Sequence, residues 1–143
     1  MVTFSDLKFI SPSALRGWFR NGPPSERRFT VIDVRDSDYV GGHIRGSWHY
    51  PSSEYVSQLA EIRQRLVAEN VGDVVFHCAL SQQRGPSAAL KFIRSLDEPG
   101  SDPEALRGLQ VWVLEGGFTK WQQQYGEDSA VTEGYDKELW QWQ

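Results

Sequence analysis

One segment of this 143-residue chain carries residue types suited to nucleophilic chemistry at a usable spacing: His77-Cys78-Ala79-Leu80-Ser81-Gln82-Gln83-Arg84-Gly85-Pro86. The chain's single cysteine is followed, after five residues, by an arginine and a Gly-Pro pair. An apolar run, Val71 to Phe76, leads into the cysteine, and Pro86 is placed at the first turn of a helical pattern. The loop therefore joins the end of a strand to the start of a helix. In open α/β sheets ligands bind there, because backbone N–H groups and the helix dipole converge on one anion. The same field favours a thiolate, the nucleophilic form of cysteine. Arg84 adds a planar fork of donors that grips two oxygens of a tetrahedral oxyanion. A lone cysteine at a strand end reads on its own as a small buried hydrophobe. The arginine spacing, the strand before and the Gly-Pro after it weigh against that reading.

The elements that must position this loop follow from the hydrophobic pattern. Leu7 to Ile10 is a short apolar piece, and Ser11-Pro12 supplies a helix N-cap and first position. Leu15, Trp18 and Phe19 share one helical face, closed by Gly22 and Pro23-Pro24. Phe29 to Val34 reads as a buried β-branched strand ending among the polar residues Asp33 and Arg35. A Gly-rich turn, Gly41 to Gly46, then leads to Trp48-His49-Tyr50-Pro51. Val56, Leu59, Ile62 and Leu66 recur at helical spacing, with Glu61 and Arg65 set for an i,i+4 pair on the outer face. Beyond the loop, Ala89, Phe92, Ile93 and Leu96 form the buried face of a helix. Asp97 to Gly108 is a polar loop, Val111 to Leu114 a last strand, and Phe118, Trp121 and Tyr125 mark a last helix ending at Gly126. Alternating strands and helices predict an α/β layer fold with a mostly parallel sheet. The chemistry-bearing part is expected within residues 1–126, with 127–143 a tail packed against or extending the same domain. Trp140 and Trp142 in that tail serve packing or a partner, and the Trp residues elsewhere read as core.

Bulk properties narrow the classes. The chain has room for one complete core, with 39% hydrophobic and 24% charged residues, an ordinary globular balance. A net charge of -4 argues against nucleic acid as the main partner. No apolar run reaches membrane-spanning length, and Met1 to Asp6 lacks the features of a signal peptide. A lone cysteine excludes an internal disulfide and a Cys-rich metal site. His43 and His49 lack ligand-like partners, so no metal is expected. These features predict a soluble protein in the reducing cytoplasm, with the nucleus as a further compartment. Oligomeric state is left open.

His-Cys-x5-Arg-Gly-Pro resembles the active-site loop of the M-phase inducer phosphatases, which have the rhodanese fold, and equally that of their small fungal and plant relatives, which include arsenate reductases. Val31-Ile32-Asp33-Val34-Arg35 with Gly41-Gly42-His43-Ile44-Arg45-Gly46 resembles the rhodanese-domain signature before the active site. Leu114-Glu115-Gly116-Gly117-Phe118-Thr119-Lys120-Trp121 resembles the signature after it. The resemblance implies a central five-stranded parallel sheet with helices on both faces. It also implies Cys78 as nucleophile, Arg84 as anion binder, and the amides of Ala79, Leu80, Ser81, Gln82 and Gln83 as cradle. Sulfurtransferases of this fold have a loop one residue shorter. The longer loop here suits phosphate or arsenate.

The expected activity is a cysteine-dependent phosphatase preferring aryl or tyrosine phosphates and working through a phosphocysteine intermediate. The alternatives are a thiol-dependent arsenate reductase, then a thiosulfate sulfurtransferase or a non-catalytic phosphate-binding module. No cofactor is expected, except external glutathione or glutaredoxin for the reductase, since Cys78 has no second cysteine to pair with. The family's loop carboxylates are replaced here by Ala79 and Gln83, so the loop itself supplies no general acid and poor leaving groups are disfavoured. Glu115, at the last strand's end, is the candidate substitute. Gly85 stands where tyrosine phosphatases carry a hydroxyl residue. His77 is adjacent to Cys78, but strand alternation turns it away from the anion, so its expected role is support from behind, with direct acid–base chemistry the alternative. Asp33 and Arg35 are read as an ion pair or turn bonds under the loop, with a direct reach into the site the alternative.

Overall fold

The apolar run ahead of Cys78 becomes β5 (Val71–His77), buried at every position, and the other elements are arranged around it. The computed structural model describes residues 7–98 and 104–142. Four strands join β5 in one sheet: β1 (Lys8–Ile10), β2 (Arg28–Asp33), β4 (Trp48–His49) and β6 (Gln110–Leu114). Their order is β1-β6-β5-β2-β4, and every neighbouring pair is parallel. The expected five-stranded parallel sheet is present, with β5 in the middle.

Period-2 alternation along the strands separates two cores. On one face Ile32, Val74 and Phe76 pack with Ile62 and Leu66 of α2 (Leu59–Ala68) and with Ala89 and Phe92 of α3 (Arg84–Ser95). On the other, Val31 and Val75 pack with Leu15 of α1 (Pro12–Asn21) and with Phe118 and Trp121 of α4 (Gly117–Tyr125). Local signals account for the helix ends. Ser11 Oγ accepts the Ala14 N–H at 3.2 Å, and Gly22, at φ +84°, closes α1.

Several expectations need correction. The segment read as a Gly-rich turn contains β3 (His43–Ile44), and Trp48–His49 is a strand of the main sheet. Two-residue strands carry no legible alternation, and the flanking glycines masked them. Val56 belongs to a 3-10 turn (Val56–Gln58) and is exposed rather than part of the buried stripe. The expected Glu61–Arg65 pair does not form. Glu61 accepts from Tyr50 Oη at 3.0 Å, while Arg65 bonds Glu69 at 3.1 Å and lies 3.8 Å over the Trp48 ring. A ring face and a second carboxylate within reach outcompete the local pair. Residues 99–103 of the expected polar loop lie outside the described residues.

β6 is not the last strand. Residues beyond Gly126 form β7 (Thr132–Glu133), antiparallel to β3, and α5 (Lys137–Gln141). Val131 is fully buried, and Thr132 Oγ1 accepts from Trp121 Nε1 at 2.9 Å. Trp140 packs on Phe118 and donates to Gly41 O at 2.9 Å. Trp142 is 83% exposed, so core packing does not extend to every tryptophan.

Candidate active site

Parallel pairing sends β2 and β5 out of the same edge of the sheet. The loop after β5 and the segment after β2 therefore lie side by side. Within the first, Cys78 is buried and its Sγ accepts two backbone N–H groups, from Ser81 at 3.2 Å and Gly85 at 3.3 Å. The second donor belongs to the first turn of α3, whose N-cap residue Gln83 makes no side-chain cap bond. Both dipoles stabilise negative charge on sulfur. Ser81, at φ +55°, turns the chain so that its N–H points back at Cys78.

The backbone N–H groups of Ala79, Leu80, Gln82 and Gln83 have no partner among the described residues. With Cys78 and Arg84, these four residues line a cavity of about 210 Å³. Uncommitted amides grouped around a thiol make a pocket that can receive an oxyanion. Ser81 lies behind it, its N–H committed to sulfur.

The loop is held open from behind. Phe118 N–H donates to Cys78 O at 3.0 Å and Thr119 N–H to Ala79 O at 2.9 Å. His77 Nδ1 is 3.0 Å from the same Cys78 O. Since a carbonyl only accepts, Nδ1 carries the proton. The carbonyls of Cys78 and Ala79 are thus tied to α4 and His77, while the amides of Ala79, Leu80, Gln82 and Gln83 stay uncommitted among the described residues. Gly117 makes this docking possible: at φ +57°, a Cβ there would stand 2.5 Å from both Cys78 O and Ala79 O. Gly117, the first residue of α4, is therefore a close-approach device.

His77 is fully buried, stacked on Phe118, and turned away from the cavity. Burial pushes its pKa down, against the opposing pull of Asp33, so the ring is neutral. Its Nε2 lies 3.7 Å from Asp33 Oδ2, too far for a hydrogen bond. Asp33 and Arg35 form a buried ion pair, Nη2 to Oδ2 at 2.7 Å. Burial opposes the charge on Asp33, but the bonds and the positive charge of Arg35 hold the carboxyl below its ordinary value. Arg35 also donates to Gly42 O at 2.9 Å and packs against the Tyr39 and Phe118 rings. The structure thus sets Asp33, Arg35 and His77 beneath the loop. His49 Nε2 contacts Arg35 O at 2.6 Å and His43 faces Glu133 at 3.2 Å. Gly85 lies against Cys78 and His77, where a Cβ would approach the His77 Cα at 3.2 Å. Glu115 is exposed, and its N–H is bonded to Ile10 O on β1.

Asp36 and Asp38 complete the surroundings of Arg84, and no sequence motif marks them. Arg84 Nη1 and Nη2 bond Asp38 Oδ1 and Oδ2 at 2.8 and 2.5 Å, and Nη1 also reaches Asp36 Oδ2 at 3.3 Å. The bond from Arg84 holds the Asp38 pKa down at about 2, and Arg84 is raised in turn. Asp36 is fixed by Ser52 Oγ at 2.5 Å and Ser53 N–H at 3.0 Å. The signal available in sequence was positional: two carboxylates just past the strand next to the cysteine's strand.

Comparison with known proteins agrees with this fold. The family model of the Rhodanese-like domain matches residues 12–124. The CDC25-like phosphatase YCH1 of Saccharomyces cerevisiae is 42% identical, over 96% of this chain and 97% of that protein. Arsenate reductase 2.2 of Oryza sativa subsp. japonica is 38% identical, over 66% of this chain and 70% of that protein. Among solved structures, yeast Ygr203w, described as a protein tyrosine phosphatase of the Rhodanese family, superposes with a TM-score of 0.83 at 42% identity. The match covers 98% of this chain and 99% of that one.

Proposed function

Because the chain belongs to the Rhodanese-like domain family, and its relatives are named as phosphatases and arsenate reductases, we propose that it is a cysteine-dependent phosphatase preferring aryl and tyrosine phosphates. One observation carries this reading. Cys78 Sγ, with two N–H donors, shares a cavity with four uncommitted loop amides and Arg84. The thiolate attacks phosphorus, and the ester oxygen leaves with the bonding electron pair. The loop amides and Arg84 hold the nonbridging oxygens through the transition state. Water then attacks the phosphocysteine, releasing inorganic phosphate and regenerating the thiolate. Cys78 and Arg84 are the catalytic residues, and His77, Asp33, Arg35 and Gly85 position the loop. Hydrolysis in this scheme needs no cofactor.

No carboxylate lines the cavity, and Asp36 and Asp38 are engaged with Arg84. A phenoxide leaves without a proton donor more readily than an alkoxide does, which underlies the aryl preference. The same feature supports arsenate reduction as a second reading, since that reaction expels no alkoxide. There Cys78 would bond arsenic, and two external thiols such as glutathione would supply the two electrons and emerge as a disulfide.

The deciding experiment assays substituted phenyl phosphates, glutathione-coupled arsenate reduction and thiosulfate sulfurtransfer on one preparation, with Cys78→Ser as control. Expected are aryl phosphate turnover that falls steeply as the leaving-group pKa rises, and loss of turnover in Cys78→Ser. Reduction of arsenate without turnover of any ester would replace the first reading by the second. Substantial activity in Cys78→Ser would overturn the nucleophile assignment.

A further inference from the structure

A guanidinium carries five N–H hydrogens in a fixed plane. Arg84 commits three of them: two on Nη1, to Asp38 Oδ1 and Asp36 Oδ2, and one on Nη2, to Asp38 Oδ2. The remaining two, on Nε and Nη2, lie along one edge and have no partner among the described residues. Such an edge matches two oxygens of a tetrahedral anion. Arg84 lines the cavity that contains Cys78.

We infer that Asp38 is the positioning residue of the oxyanion site, anchoring the end of the Arg84 guanidinium so that its Nε–Nη2 edge serves the bound anion. The inference rests on the reading that an oxyanion occupies the loop between Cys78 and Arg84. Its contrary is a latch, in which the anion must first pull Arg84 off the carboxylates. The carboxylates' own anchoring favours the anchor. Asp38 Oδ1 also accepts the Asp36 N–H at 2.9 Å, and Asp36 is bonded to Ser52 and Ser53. Neither carboxylate can follow a departing Arg84, so breaking the pair would strand two partly buried charges without their counter-ion. Binding at the open edge breaks nothing. Asp38, held at about 2, remains charged at any ordinary pH, so the anchor is permanent. A long side chain with its end already fixed also loses less freedom when the anion arrives.

The test is calorimetric titration with inorganic tungstate, which reads anion binding without turnover. The proteins are the wild type, Asp38→Asn, Arg84→Ala and the double variant, each checked by thermal melting. Asparagine keeps an acceptor for the Asp36 N–H and removes the charge. Asp38→Ser, a second short acceptor, serves if the Asn variant does not fold. Loss of the anchor should weaken tungstate binding by about five- to tenfold, as for a bidentate, half-exposed pair. It should have no further effect in the Arg84→Ala background, where there is no guanidinium to orient. Unchanged or tighter binding in Asp38→Asn would overturn the inference in favour of a latch. Weakening that persists without Arg84 would assign Asp38 to the loop's architecture instead. A wild type that binds no tungstate would overturn the oxyanion reading itself, which is a separate outcome.

Discussion

Cys78 and Ser81 are bonded in both directions: Ser81 N–H donates to Cys78 Sγ at 3.2 Å, and Cys78 N–H donates to Ser81 Oγ at 3.4 Å. The first bond favours charge on sulfur, and the second satisfies a buried donor at the strand's end.

Ser81→Ala keeps the first bond and strands the Cys78 N–H. An unsatisfied buried donor costs about 1–3 kcal/mol, so the variant should melt earlier. Its kcat/KM should fall by no more than about tenfold, because every group that touches the substrate is retained. A loss comparable to that of Cys78→Ser would give the Ser81 hydroxyl a chemical role and sink this reading.

Gly117→Ala tests the docking of α4 behind the loop. A Cβ 2.5 Å from two loop carbonyls forces the backbones apart, and the bonds from Phe118 and Thr119 to those carbonyls lengthen or break. Misplacing a catalytic loop by about 1 Å can cost about 100-fold, and kcat/KM should drop on that order although residue 117 never meets the substrate. Kinetics of a folded Gly117→Ala protein close to wild type would show that the loop does not depend on this contact.

Neutral His77 makes stability depend on pH with a definite sign. Its folded pKa lies below the ordinary 6.5, because burial disfavours the imidazolium. The unfolded chain therefore takes up the proton first as pH falls. The stability held in the neutral ring is complete above about pH 6.5 and declines between there and the lower folded value, by at most about 1.4 kcal/mol per pH unit. His77→Gln should lack this slope, whatever its stability at neutral pH. Urea unfolding between about pH 7.5 and pH 5.5 measures it, and parallel curves for the two proteins would remove His77 as the source.

Trp140 and Trp142 should behave oppositely despite being two residues apart. Trp140 packs on Phe118 and donates to Gly41 O, so Trp140→Ala should cost about 1–3 kcal/mol. The change also loosens the 41–42 turn, to which Arg35 is bonded. Trp142, at 83% exposure, should change stability by less than about 0.5 kcal/mol when replaced by Ala. Equal melting shifts for the two variants would contradict the described packing.

How much was legible in the sequence follows the distance over which each feature is built. The strand ahead of Cys78, the five-residue spacing to Arg84 and the helix after it are contiguous, so their chemistry could be read directly. Ser11, Gly22 and the stripe of Leu15, Trp18 and Phe19 were likewise local, and the run of apolar strands separated by helices determined a parallel α/β sheet. What surrounds Arg84 was not local. Asp38 and Asp36 lie 46 and 48 residues away in the chain, and they reach it because β2 happens to be the neighbour of β5. The pairing of His43 with Glu133, 90 residues apart, and the fit of Gly117 against Cys78 O and Ala79 O likewise depend on which elements become neighbours. Local propensity and periodicity record how each segment buries its own apolar face. Strand order decides which polar loops then meet at the sheet's edge, and in this protein that meeting placed two carboxylates on the arginine and a helix start behind the cysteine.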